Sequence, residues 1–185
     1  MTLEPSDLSK ILPSETKIAG PHVLYNRSFI IEYLEPEPIR NSSVLMHVRY
    51  VADNPETNLG KKYAQSPPLH LHFEQAESFV VLEGRIGTTT GWQCRDQVWT
   101  AKDGTQTIHP LTVHSFWPVT LDEHPDTAGE AKVDCRMLVW AHPRLEESVY
   151  PPSMDHLFFQ SLLGFASDVH EGKEKLDVAL LMLMQ

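Results

Sequence analysis

From residue 23 to residue 142 the chain is a succession of short runs rich in β-branched and aromatic residues. Each run is cut by Gly, Pro, Asn or Asp before it reaches the length of an ordinary helix. The runs fall at 23–34, 42–52, 69–73, 77–92, 97–101, 105–109, 113–119 and 132–141, with a turn inside the fourth at Glu83-Gly84. Several alternate in the period-two manner of a strand with two unlike faces. In 42–52, Val44, Met46, Val48 and Tyr50 share one face, and Leu45, His47 and Arg49 share the other. Strands of this length and spacing predict an all-β antiparallel sandwich or barrel. The pattern changes after Pro143. Pro151-Pro152-Ser153 reads as a helix start with Ser153 as N-cap. Leu157, Phe158, Leu162, Phe165 and Val169 follow at helical spacing, and a second short helix is expected over 174–184 beyond Gly172. The expected organisation is an N-terminal arm (1–22), a β domain (23–142) and a C-terminal helical hairpin (143–185) packed on it.

At 185 residues, 41% of them hydrophobic, the chain suits one well-filled domain. Its net charge of −10 opposes binding to nucleic acid or an anionic membrane surface. Cys94 and Cys135 are too few for a disulfide framework. The first twenty residues lack the basic and apolar regions of a secretion signal, and no run of 18 apolar residues is present to span a membrane. A cytoplasmic location is the expectation.

The unusual count is ten histidines, and two of them are arranged. His70 and His72 sit at i and i+2 of an expected strand, so both imidazoles face one side while Leu69, Leu71 and Phe73 face the other. Glu77 opens the next run. His114 lies in the run 113–119, which antiparallel pairing can bring against the first pair. Three imidazoles and a carboxylate form an N₃O donor set for one first-row divalent metal, with positions left for water or substrate. Glu74 is the alternative carboxylate. Phe79 and Val81 share the face of Glu77, and Phe116 shares that of His114; these three are the expected pocket walls. His47, Arg49 and Tyr50 line the pocket if their faces turn inward, with Arg49 as the handle for an anionic group. The candidate general bases are Glu77, His47 and His109, with Tyr50 as a further alternative.

The stretch 70–84 resembles the first motif of the cupin superfamily: His70, His72, Glu77 and Gly84 match its spaced residues. The stretch 107–119 is similar to the second motif, with His114 at its metal-binding histidine. His109 and Leu111 stand where that motif usually has proline and glycine. The resemblance implies a single-domain cupin, a double-stranded β-helix or jelly-roll barrel. It implies one divalent transition metal, Fe(II) first, with Mn, Ni, Zn or Co open. It also implies a small, partly apolar organic substrate. The chain as a whole looks like small fungal cupins of natural-product pathways. The implied activity is a non-haem dioxygenase-type oxidation; a metal-dependent isomerase, cyclase, dehydratase or decarboxylase is the alternative, and a non-catalytic binding module the third reading. A homodimer stays open, with 23–34 as the strand that could join a neighbour's sheet.

Overall fold

The computed structural model describes residues 17–36, 41–119, 132–143 and 154–177. Among the described residues nine strands form in chain order: β1 (Lys17–Leu24), β2 (Phe29–Leu34), β3 (Val44–Tyr50), β4 (Ala76–Glu83), β5 (Arg85–Thr90), β6 (Arg95–Thr100), β7 (Gln106–Ile108), β8 (His114–Pro118) and β9 (Cys135–His142). One α-helix, α1 (His156–His170), follows. The strands make two antiparallel sheets, one of six in the order β1-β2-β3-β9-β4-β7 and one of three in the order β6-β5-β8.

The expected barrel is corrected by this topology: the protein is an all-β, two-sheet fold with one main helix, and among the described residues no strand ladder joins the sheets. The run 69–73, which should have been a full strand, makes a single bridge, His70 to His114. Its approach explains this, since Pro67 and Pro68 carry no N–H to donate to a ladder. The expected helical hairpin is corrected as well. Glu174–Asp177 are not helical, and the remainder of 174–184 lies outside the described residues. Helix α1 ends firmly: Gly172 takes φ 72°, and the N–H groups of Lys173 and Glu174 both return to the Asp168 carbonyl. Its N-cap is Asp155, whose side chain accepts from the Phe158 N–H at 2.9 Å; Ser153 lies outside the described residues.

The run 23–34 divides into the end of β1 and all of β2. The turn between them holds three successive non-glycine residues at positive φ, Tyr25 (51°), Asn26 (51°) and Arg27 (67°). Helix α1 holds it in place: the Tyr25 N–H donates to Ser167 Oγ and the Asn26 N–H to Glu171 Oε1, both at 2.8 Å. The turn at Gly84 forms as its residue type requires. It takes φ 71°, and a Cβ there would lie 2.6 Å from the Asp134 carbonyl oxygen.

Alternation along the strands builds two apolar clusters, one on each face of the six-stranded sheet. The larger lies between the layers and gathers Phe29, Ile31, Tyr33, Val44, Met46, Val48, Tyr50, Phe79, Val81, Met137 and Val139 with Ile86 and Phe116 of the small sheet. Met154, Phe159, Leu163 and Ala166 place one stripe of α1 on it. Each large apolar side chain so buried contributes about 1.5–3 kcal/mol. The opposite face carries Leu34, Leu45, Val80, Leu138 and Trp140.

Candidate metal centre

One ligand atom from each of His70, His72, Glu77 and His114 falls within 4.8 Å of the other three. Among the described residues this is the one such group. Three structural units supply it. His70 and His72 come from the extended connector, Glu77 from β4 of the large sheet, and His114 from the first residue of β8 in the small sheet. The connector is locked beside β8 by paired bonds between His70 and His114 (3.0 and 2.8 Å) and by the Leu111 N–H donating to the His72 carbonyl at 2.7 Å. Extended backbone at 70–72 keeps both imidazoles on one side.

The imidazoles are oriented as ligands. His70 Nδ1 donates to the Pro68 carbonyl at 2.9 Å, and His114 Nδ1 donates to the Thr112 carbonyl at 2.8 Å. A carbonyl can only accept, so each Nδ1 carries the proton and each Nε2 is left for the centre. His114 Nε2 lies 3.0 Å, and His72 Nε2 3.6 Å, from Glu77 Oε2. The three rings pack with centroids 4.3 to 5.2 Å apart.

Electrostatics follow from this arrangement. Burial opposes ionisation of Glu77, but the hydrogen-bonded His114 and the nearby His72 imidazole outweigh it and hold its pKa at about 2. Burial also disfavours the charged form of His114, and the Glu77 carboxylate reverses that, raising its pKa above the ordinary value. Burial lowers the pKa of His70. The ionised carboxylate is the donor state that a divalent cation requires, and a bound ion would take the place of the proton on His114 Nε2. The spread of the donor atoms suits one first-row ion with bonds of about 2.0–2.2 Å after a small contraction. The cluster is thus a three-histidine, one-glutamate set suited to a divalent metal.

The turn before β8 departs from glycine chemistry yet keeps its shape. Leu111 takes φ 63°, a left-handed conformation costly for a leucine, just before Val113 and His114, which are both buried.

Other residues singled out from the sequence divide by position. Phe79 and Phe116 are in edge-to-face contact at 5.1 Å, and Phe116 lies 6.0 Å from the His114 ring. Val81 shares their face but stands two further residues along β4 from Phe79. Tyr50 faces inward too, yet it pairs with Cys135 at the other end of the sheet, while Glu77 aligns with Ala141. His47 and Arg49 are turned away: the apolar set of β3 occupies the inner face, so these two project from the outer one. There His47 meets Glu32 at 3.2 Å and Arg49 meets Asp134 at 3.1 Å. His109 and Glu74 are exposed and outside the cluster.

Comparison with known proteins places the chain. It is 31% identical over 175 residues to the probable oxidoreductase virH of Hypocrea virens, spanning 93% of this chain and 70% of that protein. This chain belongs to the virH family. A second relative, the oxidoreductase macE of Penicillium terrestre, is 31% identical over 120 residues, which cover 65% of the chain but only 42% of macE. No protein-family model matches. Among solved structures, the hydroxypropylphosphonic acid epoxidase from S. wedmorenis overlaps 71% of the chain and 61% of its own length (17% identity, TM-score 0.42). The Cnp3 cupin domain of Schizosaccharomyces pombe overlaps 73% and 71% (15% identity, TM-score 0.41). In this virH-family chain the three-histidine, one-glutamate cluster sits where the two sheets meet. No described helix is long and apolar enough to cross a membrane.

Proposed function

We propose that this member of the virH family is a metal-dependent oxidoreductase that oxidises a small, partly apolar organic substrate at the His70/His72/Glu77/His114 centre. Fe(II) is the first choice of metal and O₂ the oxidant. The observation that carries this reading is the orientation of the donors. His70 and His114 spend their Nδ1 protons on backbone carbonyls and present Nε2 together beside an ionised glutamate. A purely structural histidine cluster has no need of that arrangement. When bound, a divalent metal supplies a Lewis acid, and Fe(II) adds a centre able to exchange electrons with O₂.

The chain's own residues supply the rest. Glu77 offsets the positive charge of the ion. Phe79 and Phe116 wall the approach with aromatic surface and exclude water from it, which strengthens electrostatic contacts inside. The names of virH and macE as oxidoreductases favour oxidation over isomerisation.

The test combines metal analysis with oxygen uptake. The purified protein should hold about one equivalent of metal, lost in His72→Ala. With Fe(II) restored it should consume O₂ in the presence of phenolic or enolisable compounds. Turnover under strict anaerobiosis would overturn the oxidative reading in favour of Lewis-acid chemistry.

A further inference from the structure

The face between the layers is apolar almost throughout, and the metal cluster is one interruption of it. A second lies where β1, β2 and the start of α1 meet. Tyr33 is fully buried there, and its hydroxyl has no hydrogen-bond partner. His22, beside it on β1, buries an equally unpartnered Nε2. The two rings are 5.8 Å apart edge-to-face, and the His156 ring of α1 lies 6.2 Å from Tyr33 on another side. His22 and His156 are part-exposed, so the group stands at the boundary with solvent. Unpaired buried polar groups are destabilising and rare in folded proteins. Two of them, one from each of two paired strands, point to a ligand.

Register relates this group to the metal centre. Tyr33, Met46, Val139 and Phe79 form one row across β2, β3, β9 and β4, and Glu77 is two residues along β4 on the same face. Three strand spacings separate the ends of the row, about 14 Å. The backbone between them presents Met46, Val139 and Phe79, with no polar side chain.

We infer that Tyr33 and His22 form the distal end of the substrate site and bind a hydroxyl group of the substrate across an apolar span from its metal-binding end. A hydroxyl matches the pair: it accepts from the Tyr33 O–H and donates to His22 Nε2. A carboxylate does not match, because it has no proton to donate to the His22 Nε2. Burial keeps the phenol protonated by raising its pKa, so it remains a donor across the working pH range. The inference rests on the metal-centre reading and adds the substrate class: an amphiphile with a chelating oxygen function at one end, an apolar middle and a neutral hydroxyl at the other.

The experiment uses the full chain loaded with metal and two series of alkyl hydroxamates of graded length, one ending in a hydroxyl and one in a methyl, titrated by calorimetry. At the length that spans both ends, Tyr33→Phe should weaken the hydroxyl-ended probe about tenfold, the loss of one buried hydrogen bond. It should leave the methyl-ended probe equal or tighter. Without ligand, Tyr33→Phe should melt about 2–4 °C higher, since it removes an unpaired hydroxyl and no contact. Equal changes for both probes, or a lower melting temperature in Tyr33→Phe, overturn the proposal and leave the metal centre standing. If acetohydroxamate itself fails to bind in a metal-dependent way, the metal reading falls and this proposal falls with it.

Discussion

Removing the metal should give this protein a pH-dependent weakness that the loaded form lacks. In the metal-free chain, His114 donates from Nδ1 to the Thr112 carbonyl, and its Nε2 faces Glu77 Oε2 at 3.0 Å. Both nitrogens can donate only if the ring is protonated. Deprotonation therefore leaves a nitrogen lone pair against a buried carboxylate, or forces a tautomer switch that abandons Thr112. The sign follows from the direction of the shift. His114 has a pKa raised on folding, so its contribution is fully present below the ordinary value of about 6.5 and is lost as pH rises through the folded-state value. Glu77, with its pKa lowered to about 2, contributes above about 4.5 and loses that only in strong acid. The metal-free protein is thus at its best between these limits. Within the window above 6.5 the loss is at most one proton's worth, about 1.4 kcal/mol per pH unit, or about 3–5 °C of melting temperature per unit at this chain length. With metal bound, the ion replaces the proton on Nε2 and this loss disappears. Thermal melts of chelator-treated and metal-loaded protein from mildly acidic to alkaline pH should therefore diverge as pH rises. Glu77→Gln, measured metal-free, should cancel the His114 contribution. Parallel curves for the two wild-type forms, or an unchanged slope in Glu77→Gln, would refute the reasoning.

Packing and backbone make further tests. A Cβ on Gly87 would lie 2.4 Å from the Trp117 ring, so Gly87→Ala should cost about 1–3 kcal/mol by overpacking, whereas Gly164→Ala in α1, with nothing within 4 Å, should stabilise by up to about 1 kcal/mol; denaturant melts compare them. Leu111→Gly should relieve left-handed strain of about 1–2 kcal/mol and raise the melting temperature without altering metal content. Ser167→Ala deprives the buried Tyr25 N–H of its acceptor and should destabilise by about 1–3 kcal/mol, read by equilibrium unfolding. His47→Ala and Arg49→Ala, on the outer face of the large sheet, should leave metal affinity at the wild-type value in a competition titration; a large loss from either would place it at the centre after all.

Periodicity in the sequence carries the face of a residue but not its row. The i, i+2 spacing of His70 and His72 was enough to put both imidazoles on one side, and a strand period relates Glu77 to Phe79 and Val81 in the same way. Which row each residue occupies depends on register between strands remote in sequence. Tyr50 therefore shares the inner face yet stands at the opposite end of the sheet from Glu77. His47 and Arg49 turn on a different question. Both faces of β3 carry apolar residues, and only the packing of Val44, Met46, Val48 and Tyr50 against the small sheet decides which is inside. The turn at 25–28 escaped notice because it contains no glycine or proline; bonds from Ser167 and Glu171, more than 140 residues away, hold its left-handed residues. Tyr33 and His22 carry no motif at all. Their significance is a pair of unpaired polar atoms, a property that exists only once the strands are aligned.

The position of the cluster gives the metal a second consequence. Among the described residues no ladder joins the two sheets, and the connector meets the small sheet through the bridge at His70 and His114 and through Ser115 Oγ, which donates to the Pro67 carbonyl at 2.7 Å. Glu77 belongs to the large sheet, His114 to the small one, and His70 and His72 to the segment between them. An ion held by all four is therefore a cross-link between three units that backbone hydrogen bonds join only weakly. Ligands scattered in the unfolded chain cannot hold an ion with comparable affinity, so binding free energy at such a site adds to folding free energy. The same geometry limits how far the site can loosen: any slip of β8 against β4 moves His114 away from Glu77 and weakens the centre at once. The affinity of the centre for an ion and the seating of one sheet on the other are in this way a single structural variable, set by how closely β8 and β4 approach at one end of the molecule.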